Sequence, residues 1–240
     1  MLMGPQNSLE QARIVRNRIK SAAEAALRNV DSVTLLAVSK GQPADSVRAI
    51  AGAGVRDIGE SYVQEALEKI EQLRDLPLCW HFIGRLQANK TRVIATTFDW
   101  VHAVDRLKIA ERLSEQRPFH APPLNVCLQV NIAGEASKGG VTPAELPALA
   151  AAVAALPRLK LRGLMCIPPD EDDPTRQRMW FAALRHAFEQ LNASGAGLDT
   201  LSMGMSGDYE AAILEGATIV RIGTALFGER PRSTNAAPPQ

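Results

Sequence analysis

With 240 residues, 46% hydrophobic and 22% charged, the chain has the make-up of an ordinary globular protein, long enough for one α/β barrel or two small domains. Its formal net charge of +1 gives no electrostatic footprint for nucleic acid or an anionic membrane. No stretch is long and apolar enough to span a bilayer, and the start Met1-Leu2-Met3-Gly4-Pro5 has no charged region followed by an apolar one, so a cytoplasmic protein is expected.

Residues 8–28 have helical spacing, with Ile14, Val15, Ile19, Ala22, Ala23, Ala26 and Leu27 on one side and Arg13, Arg16, Arg18 and Lys20 largely on the other. Ser8 reads as the N-cap, and the leading segment 1–30 is expected to pack on the domain formed by the rest of the chain. Next comes Thr34-Leu35-Leu36-Ala37-Val38-Ser39-Lys40, bounded by Asp31-Ser32 and Gly41-Gln42-Pro43. So short and apolar a run predicts a buried parallel strand with Lys40 at its carboxyl end. A helix over 43–54, a strand over 55–59 ending at Glu60, a helix over 61–73 and a strand over 78–83 come after it. A short helix at 89–95 and a strand at 98–104 complete the first half.

The second half keeps the same rhythm. Residues 105–116 read as a helix, 117–123 as a Pro-rich loop, 124–131 as a long apolar strand, and 143–156 as an Ala-rich helix used for packing. The last elements are a strand at 159–166, a long helix at 174–193, a strand at 198–202, a helix at 208–215 and a strand at 218–222; Glu171, Asp172 and Asp173 are helix-start charges in a surface loop. The tail 229–240 has a disordered composition. Eight strands alternating with helices predict a single (β/α)8 TIM-type barrel over 31–228, with an extra N-terminal helix. A doubly wound open sheet is the alternative, but no Gly-x-Gly-x-x-Gly follows the first strand. Cys79, Cys127 and Cys166 are odd in number, lie in apolar runs and form no Cys-x-x-Cys pair, so they read as buried thiols without a metal or a disulfide.

Chemistry concentrates where the strands end. An amine at an apolar strand end is costly to keep charged and becomes a nucleophile towards a carbonyl, although a lysine there can also simply reach into water. Closure of the barrel brings strand eight beside strand one, and therefore Arg221 near Lys40. Gly223 and Thr224 then offer backbone N–H groups and a hydroxyl, and Ser202-Met203-Gly204-Met205-Ser206-Gly207-Asp208 adds two glycines and the Ser206 hydroxyl. Each alone reads as a turn with a helix cap; together they describe a phosphate cup beside a lysine. A phosphorylated aldehyde fits both halves, and either pyridoxal 5′-phosphate (PLP) or an aldolase substrate qualifies.

Several stretches resemble the pyridoxal phosphate homeostasis protein family, a single-domain relative of the barrel half of alanine racemase. They are Leu36-Ala37-Val38-Ser39-Lys40, Ile58-Gly59-Glu60-Ser61-Tyr62-Val63-Gln64-Glu65, Trp80-His81-Phe82-Ile83-Gly84-Arg85-Leu86-Gln87-Ala88-Asn89-Lys90, Gly163-Leu164-Met165, Leu201-Ser202-Met203-Gly204-Met205-Ser206, and Val220 to Gly228. The resemblance runs from the first strand to the last. It implies that Lys40 holds PLP as a Schiff base, that Ser206, Gly223 and Thr224 bind the phosphate, and that Arg221 faces the pyridine nitrogen. It implies intracellular PLP homeostasis without strong catalysis, with PLP and related B6 vitamers as ligands and apo PLP-dependent enzymes as recipients; a monomer is expected.

One departure stands out, since the family pattern usually reads Gly-Glu-Asn-Tyr and Ser61 replaces the Asn. A shorter hydroxyl puts in doubt any contact from this position to the cofactor ring. His81 is a candidate acid or base, or else a packed core residue, and Lys138 is a second aldehyde acceptor or a solvated loop lysine. A PLP-dependent amino-acid racemase is the alternative function, but it requires a second base, and Tyr62 and Tyr209 are the only tyrosines, with no separate domain expected after the last strand. A class I aldolase-like enzyme is the third reading.

Overall fold

The computed structural model describes residues 5–135 and 138–228. Helix α1 (Pro5–Ala25) precedes the strands. The chain then alternates through β1 (Thr34–Val38), α2 (Ala44–Gly52), β2 (Asp57–Glu60), α3 (Val63–Gln72), β3 (Cys79–Phe82), α4 (Thr91–Thr97), β4 (Trp100–Val104) and α5 (Leu107–Gln116). It continues through β5 (Leu124–Gln129), α6 (Leu146–Ala154), β6 (Leu159–Met165), α7 (Pro174–Ala193), β7 (Thr200–Ser202), α8 (Tyr209–Leu214), β8 (Ile219–Ile222) and α9 (Thr224–Phe227).

The eight strands are parallel and close in sequence order, so β8 pairs with β1 and the fold is a (β/α)8 barrel. Strands in such a sheet are covered on both faces, which is why they read as unbroken apolar runs. Between barrel and helices lie Ile58, Val126, Leu164 and Val220 from strands, and Val47, Ile94, Leu113 and Phe181 from helices, all fully buried. The register sets Leu36 opposite Arg221 and Gly59 opposite His81.

Three local departures from the sequence reading have physical causes. Helix α1 already runs ahead of Ser8, so Ser8 is a buried residue within the helix and not its cap. At its other end Arg28 N donates to Ala23 O and Leu27 N to Glu24 O, a Schellman-type close that puts Leu27 at φ +53°. Leu27 is thereby turned off the apolar stripe and is 97% exposed, and Ile14 is also exposed, while Ala12, Val15, Ile19, Ala22 and Ala23 remain buried. The helix packs against α2, α8 and α9. Short helical turns at Val30–Ser32 and α9 carry too few residues to show a periodicity. The expected disordered tail, 229–240, lies outside the described residues.

Candidate functional site

A cavity of about 290 Å³ opens at the carboxyl ends of the strands, where barrels of this kind carry their chemistry. Lys40, Ser206, Arg221, Gly223 and Thr224 all line it, against apolar walls from Val38, Ile83, Met165 and Phe227. Ser61 and Gln42 line it as well, so the serine at the departed position does reach the cavity wall. The volume lies at the small end of the range for small-molecule sites, about 300 to 1,000 Å³.

Lys40 stands two residues beyond the end of β1 and is half-buried. Its loop is pinned from below. Lys69 Nζ donates to Ser39 O, Glu60 Oε1 and Glu65 Oε1, each at 2.6 Å, and Ser39 Oγ donates to the same Glu60 oxygen. Glu65 in turn accepts from Gly41 N, where φ is +74°. Only glycine adopts that turn at no steric cost. Burial drives the Glu60 carboxyl above its ordinary pKa, and the hydrogen bonds from Lys69 and Ser39 oppose this. The sequence offered no sign of this network, because Lys69 falls on an otherwise amphipathic helix where a lysine reads as solvated.

Arg221 is buried in β8 with its guanidinium in contact with neutral groups. Nη1 donates to Ser202 O at 2.7 Å and Ser202 Oγ at 2.9 Å, and Nη2 donates to Cys166 O at 2.8 Å. Burial lowers its pKa from the usual arginine value. Of five N–H donors these bonds use three, and among the described residues no carboxylate is paired with it. Its backbone N–H donates to Gly204 O, fixing the loop after β7 against β8. Gly204 has φ +92°, and a Cβ there would meet Ala212 Cβ at 2.7 Å and Tyr209 Cα at 2.9 Å. Only glycine lets this loop pack on α8 and carry Ser206 to the cavity. Ser206 Oγ accepts from Ala225 N at 3.4 Å, which sets the hydroxyl beside the first turn of α9.

Residues from the same strands point deeper. His81 lies within β3 and does not line the cavity; it stacks on Trp100 at 5.4 Å between ring centres and sits between Asp57 and His102. The packed-core reading of His81 therefore describes its place. His102, in β4, is fully buried, and burial first, then His81 and Arg221, hold its pKa well below the ordinary histidine value. Asp57, Cys79 and His81 bring three ligand-type atoms within 4.8 Å of one another. Their contacts are those of hydrogen bonding, His81 Nε2 to Asp57 Oδ1 at 3.0 Å and to Cys79 Sγ at 3.4 Å. Burial, with Asp99 and Asp57 nearby, pushes the Cys79 thiol far up, so it is held protonated although only half-buried. Cys127 and Cys166 are buried thiols pushed up to about 12 by desolvation. Lys138, partly exposed in its loop, donates from Nζ to Pro168 O at 2.9 Å and pairs with Glu135 at 3.1 Å. Asp173 caps α7, accepting from Thr175 N at 2.9 Å.

The family model described as alanine racemase, N-terminal domain, matches residues 13–231. Among curated relatives, the pyridoxal phosphate homeostasis protein of Pseudomonas aeruginosa is 63% identical over 216 residues, covering 90% of this chain and 93% of that protein. The pyridoxal phosphate homeostasis protein of Escherichia coli is 51% identical over 222 residues, covering 91% and 95%. Among solved structures, PipY of Synechococcus elongatus with PLP bound superposes with a TM-score of 0.77 at 38% identity, covering 88% of this chain and 100% of that one.

Proposed function

Because the chain belongs to the pyridoxal phosphate homeostasis protein family, built on the alanine racemase N-terminal domain, we propose that it binds PLP in the cavity at the barrel mouth and takes part in PLP homeostasis without strong catalysis of its own. The residues present fit the group. Lys40, on the cavity wall, is the residue whose amine would hold the aldehyde. Ser206, Thr224 and the bare backbone at Gly223, which line the cavity, would offer donors to the phosphate, and Arg221, which lines it too, would face the pyridine nitrogen. PLP, when bound, supplies an electron-withdrawing ring. A guanidinium gives up no proton to that ring nitrogen, so the ring stays a weak electron sink and carbanion chemistry is discouraged.

One observation carries the carrier reading. Among the described residues that line the cavity, Lys40 and Arg221 are the ionisable groups; no carboxylate, imidazole or phenol stands with them. Racemisation requires a base on each face, and the two tyrosines are elsewhere: Tyr62 is 63% exposed, and Tyr209 is buried and does not line the cavity. In this reading related B6 vitamers also enter the cavity, apo PLP-dependent enzymes receive the cofactor, and the protein works as a cytoplasmic monomer. No helix among the described residues is long and apolar enough to cross a membrane.

The phosphate cup is tested with Ser206→Ala combined with Thr224→Ala. Loss of two hydrogen bonds to a charged group should weaken PLP retention at least about a hundredfold, about 1.5 kcal/mol or more for each bond, and leave the affinity for unphosphorylated pyridoxal nearly unchanged. Equal retention of PLP by the double variant and the parent, in equilibrium dialysis, would remove the cup from the account.

A further inference from the structure

We propose that His81 and His102 are positioning residues for Arg221, joined to it by one directed hydrogen-bond chain that crosses the barrel interior and ends on the Asp57 carboxylate. The links are Arg221 Nη1 to Ser202 Oγ at 2.9 Å, Ser202 Oγ to His102 Nδ1 at 2.8 Å, His102 Nε2 to His81 Nδ1 at 2.9 Å, and His81 Nε2 to Asp57 Oδ1 at 3.0 Å. They join β8, β7, β4, β3 and β2. Since β7 and β4 are not neighbours in the sheet, the Ser202–His102 link runs through the inside of the barrel. Ser202, His102 and His81 are shut off from water, and Asp57 opens to it at the amino-terminal mouth, 30% exposed.

The two ends fix the direction. A guanidinium only donates and a carboxylate only accepts, while a neutral imidazole has one donor and one acceptor. Asp57 therefore takes the proton of His81 Nε2, which leaves His81 Nδ1 as an acceptor. His102 must then donate from Nε2 and accept at Nδ1, and the proton it accepts is that of the Ser202 hydroxyl. The Ser202 oxygen is left with its lone pairs towards Arg221. A doubly protonated His81 would instead donate at both nitrogens and turn His102 round. The Ser202 hydroxyl would then have no acceptor along the chain, and a second buried cation would lie near Arg221.

Every link in the directed chain turns its negative end towards the guanidinium, and aligned dipoles of this kind reinforce one another in a low-dielectric interior. Arg221 is thus stabilised in place without a carboxylate in contact to neutralise it, and its remaining donors keep their strength for a ligand. Trp100 stacks on His81 and also lies 5.9 Å from His102 between ring centres, Cys79 Sγ lies 3.4 Å from His81 Nε2, and Asp57, Ser202 and Arg221 are the charged or polar groups of the hydrogen-bond chain itself.

The effect on the cofactor rests on the reading of the cavity as a PLP site; the direction of the chain does not. Long-range proton–nitrogen NMR on the full-length protein labelled in histidine should show both His81 and His102 as single neutral rings protonated at Nε2. A doubly protonated His81, or a proton on His102 Nδ1, overturns the proposal. Asp57→Asn replaces an obligate acceptor at the rim with an amide that can also donate, so the expected result is a mixture of tautomers in both rings. PLP retention should fall about fivefold, the size of one neutral hydrogen bond, with the melting temperature kept. Unchanged tautomers and unchanged retention in Asp57→Asn would equally overturn it. If the parent protein takes up no PLP, the cavity reading fails while the tautomers still judge the chain.

Discussion

His102 shows how much of this protein's polar chemistry is decided by a single ring. Because burial holds it neutral, the unfolded chain binds a proton there below pH 6.5 that the folded chain does not. Stability then rises with pH through that range and is lost as the pH falls below about 6.5, by about 1.4 kcal/mol per pH unit for one proton. Glu60 and Asp208 work in the opposite sense at lower pH, since burial raises both carboxyls and the folded chain holds their protons longer. The prediction is therefore a difference: urea unfolding between pH 7.5 and 5.5 should fall less steeply for His102→Asn than for the parent, and parallel slopes would mean that His102 is charged in the folded state. At this scale the sequence was partly legible. Lys40, Arg221, Ser206, Gly223 and Thr224 were recognisable from strand ends and family motifs, and all line one cavity. His81 could not be assigned from the sequence, because a period-2 pattern does not say which face is the barrel interior when both faces are buried.

Among the elements, strands were the most legible, since each is a short apolar run closed off by Gly, Pro or charged residues. Their limits moved by one or two residues where flanking apolar residues pack without joining the ladder, as Leu78 does before Cys79 and Leu198 before Thr200. Helix α1 was misread at both ends: it already runs ahead of Ser8, and a left-handed residue closes it before Arg28. That second feature makes a prediction. Leu27 occupies a position that favours glycine and buries nothing, so Leu27→Gly should stabilise the protein by about 1 kcal/mol. Thermal unfolding that shows a loss would mean that the side chain makes contacts its exposure does not suggest. The loops after β1 and β7 were legible as sites of chemistry, but what holds them, Lys69 beneath Lys40 and Gly204 against α8, was not. Such supports are contacts between distant residues and leave no periodic trace.

For the molecule as a whole, alternation of strands and helices was enough to specify the barrel, and closure of the barrel was enough to bring Arg221 towards Lys40. The interior departs from the usual branched apolar layers, holding a polar line from the cavity to the far mouth, while the apolar core lies between barrel and helices. The central claim is that PLP is held covalently on Lys40 at one end of that line. It is tested most directly by the absorption spectrum of the PLP-treated protein before and after borohydride, followed by peptide mapping. The account predicts a visible band that reduction abolishes, with the reduced cofactor on the peptide containing Lys40 and none fixed in Lys40→Ala. A colourless protein after PLP treatment, or label retained by that same peptide in Lys40→Ala, would contradict it.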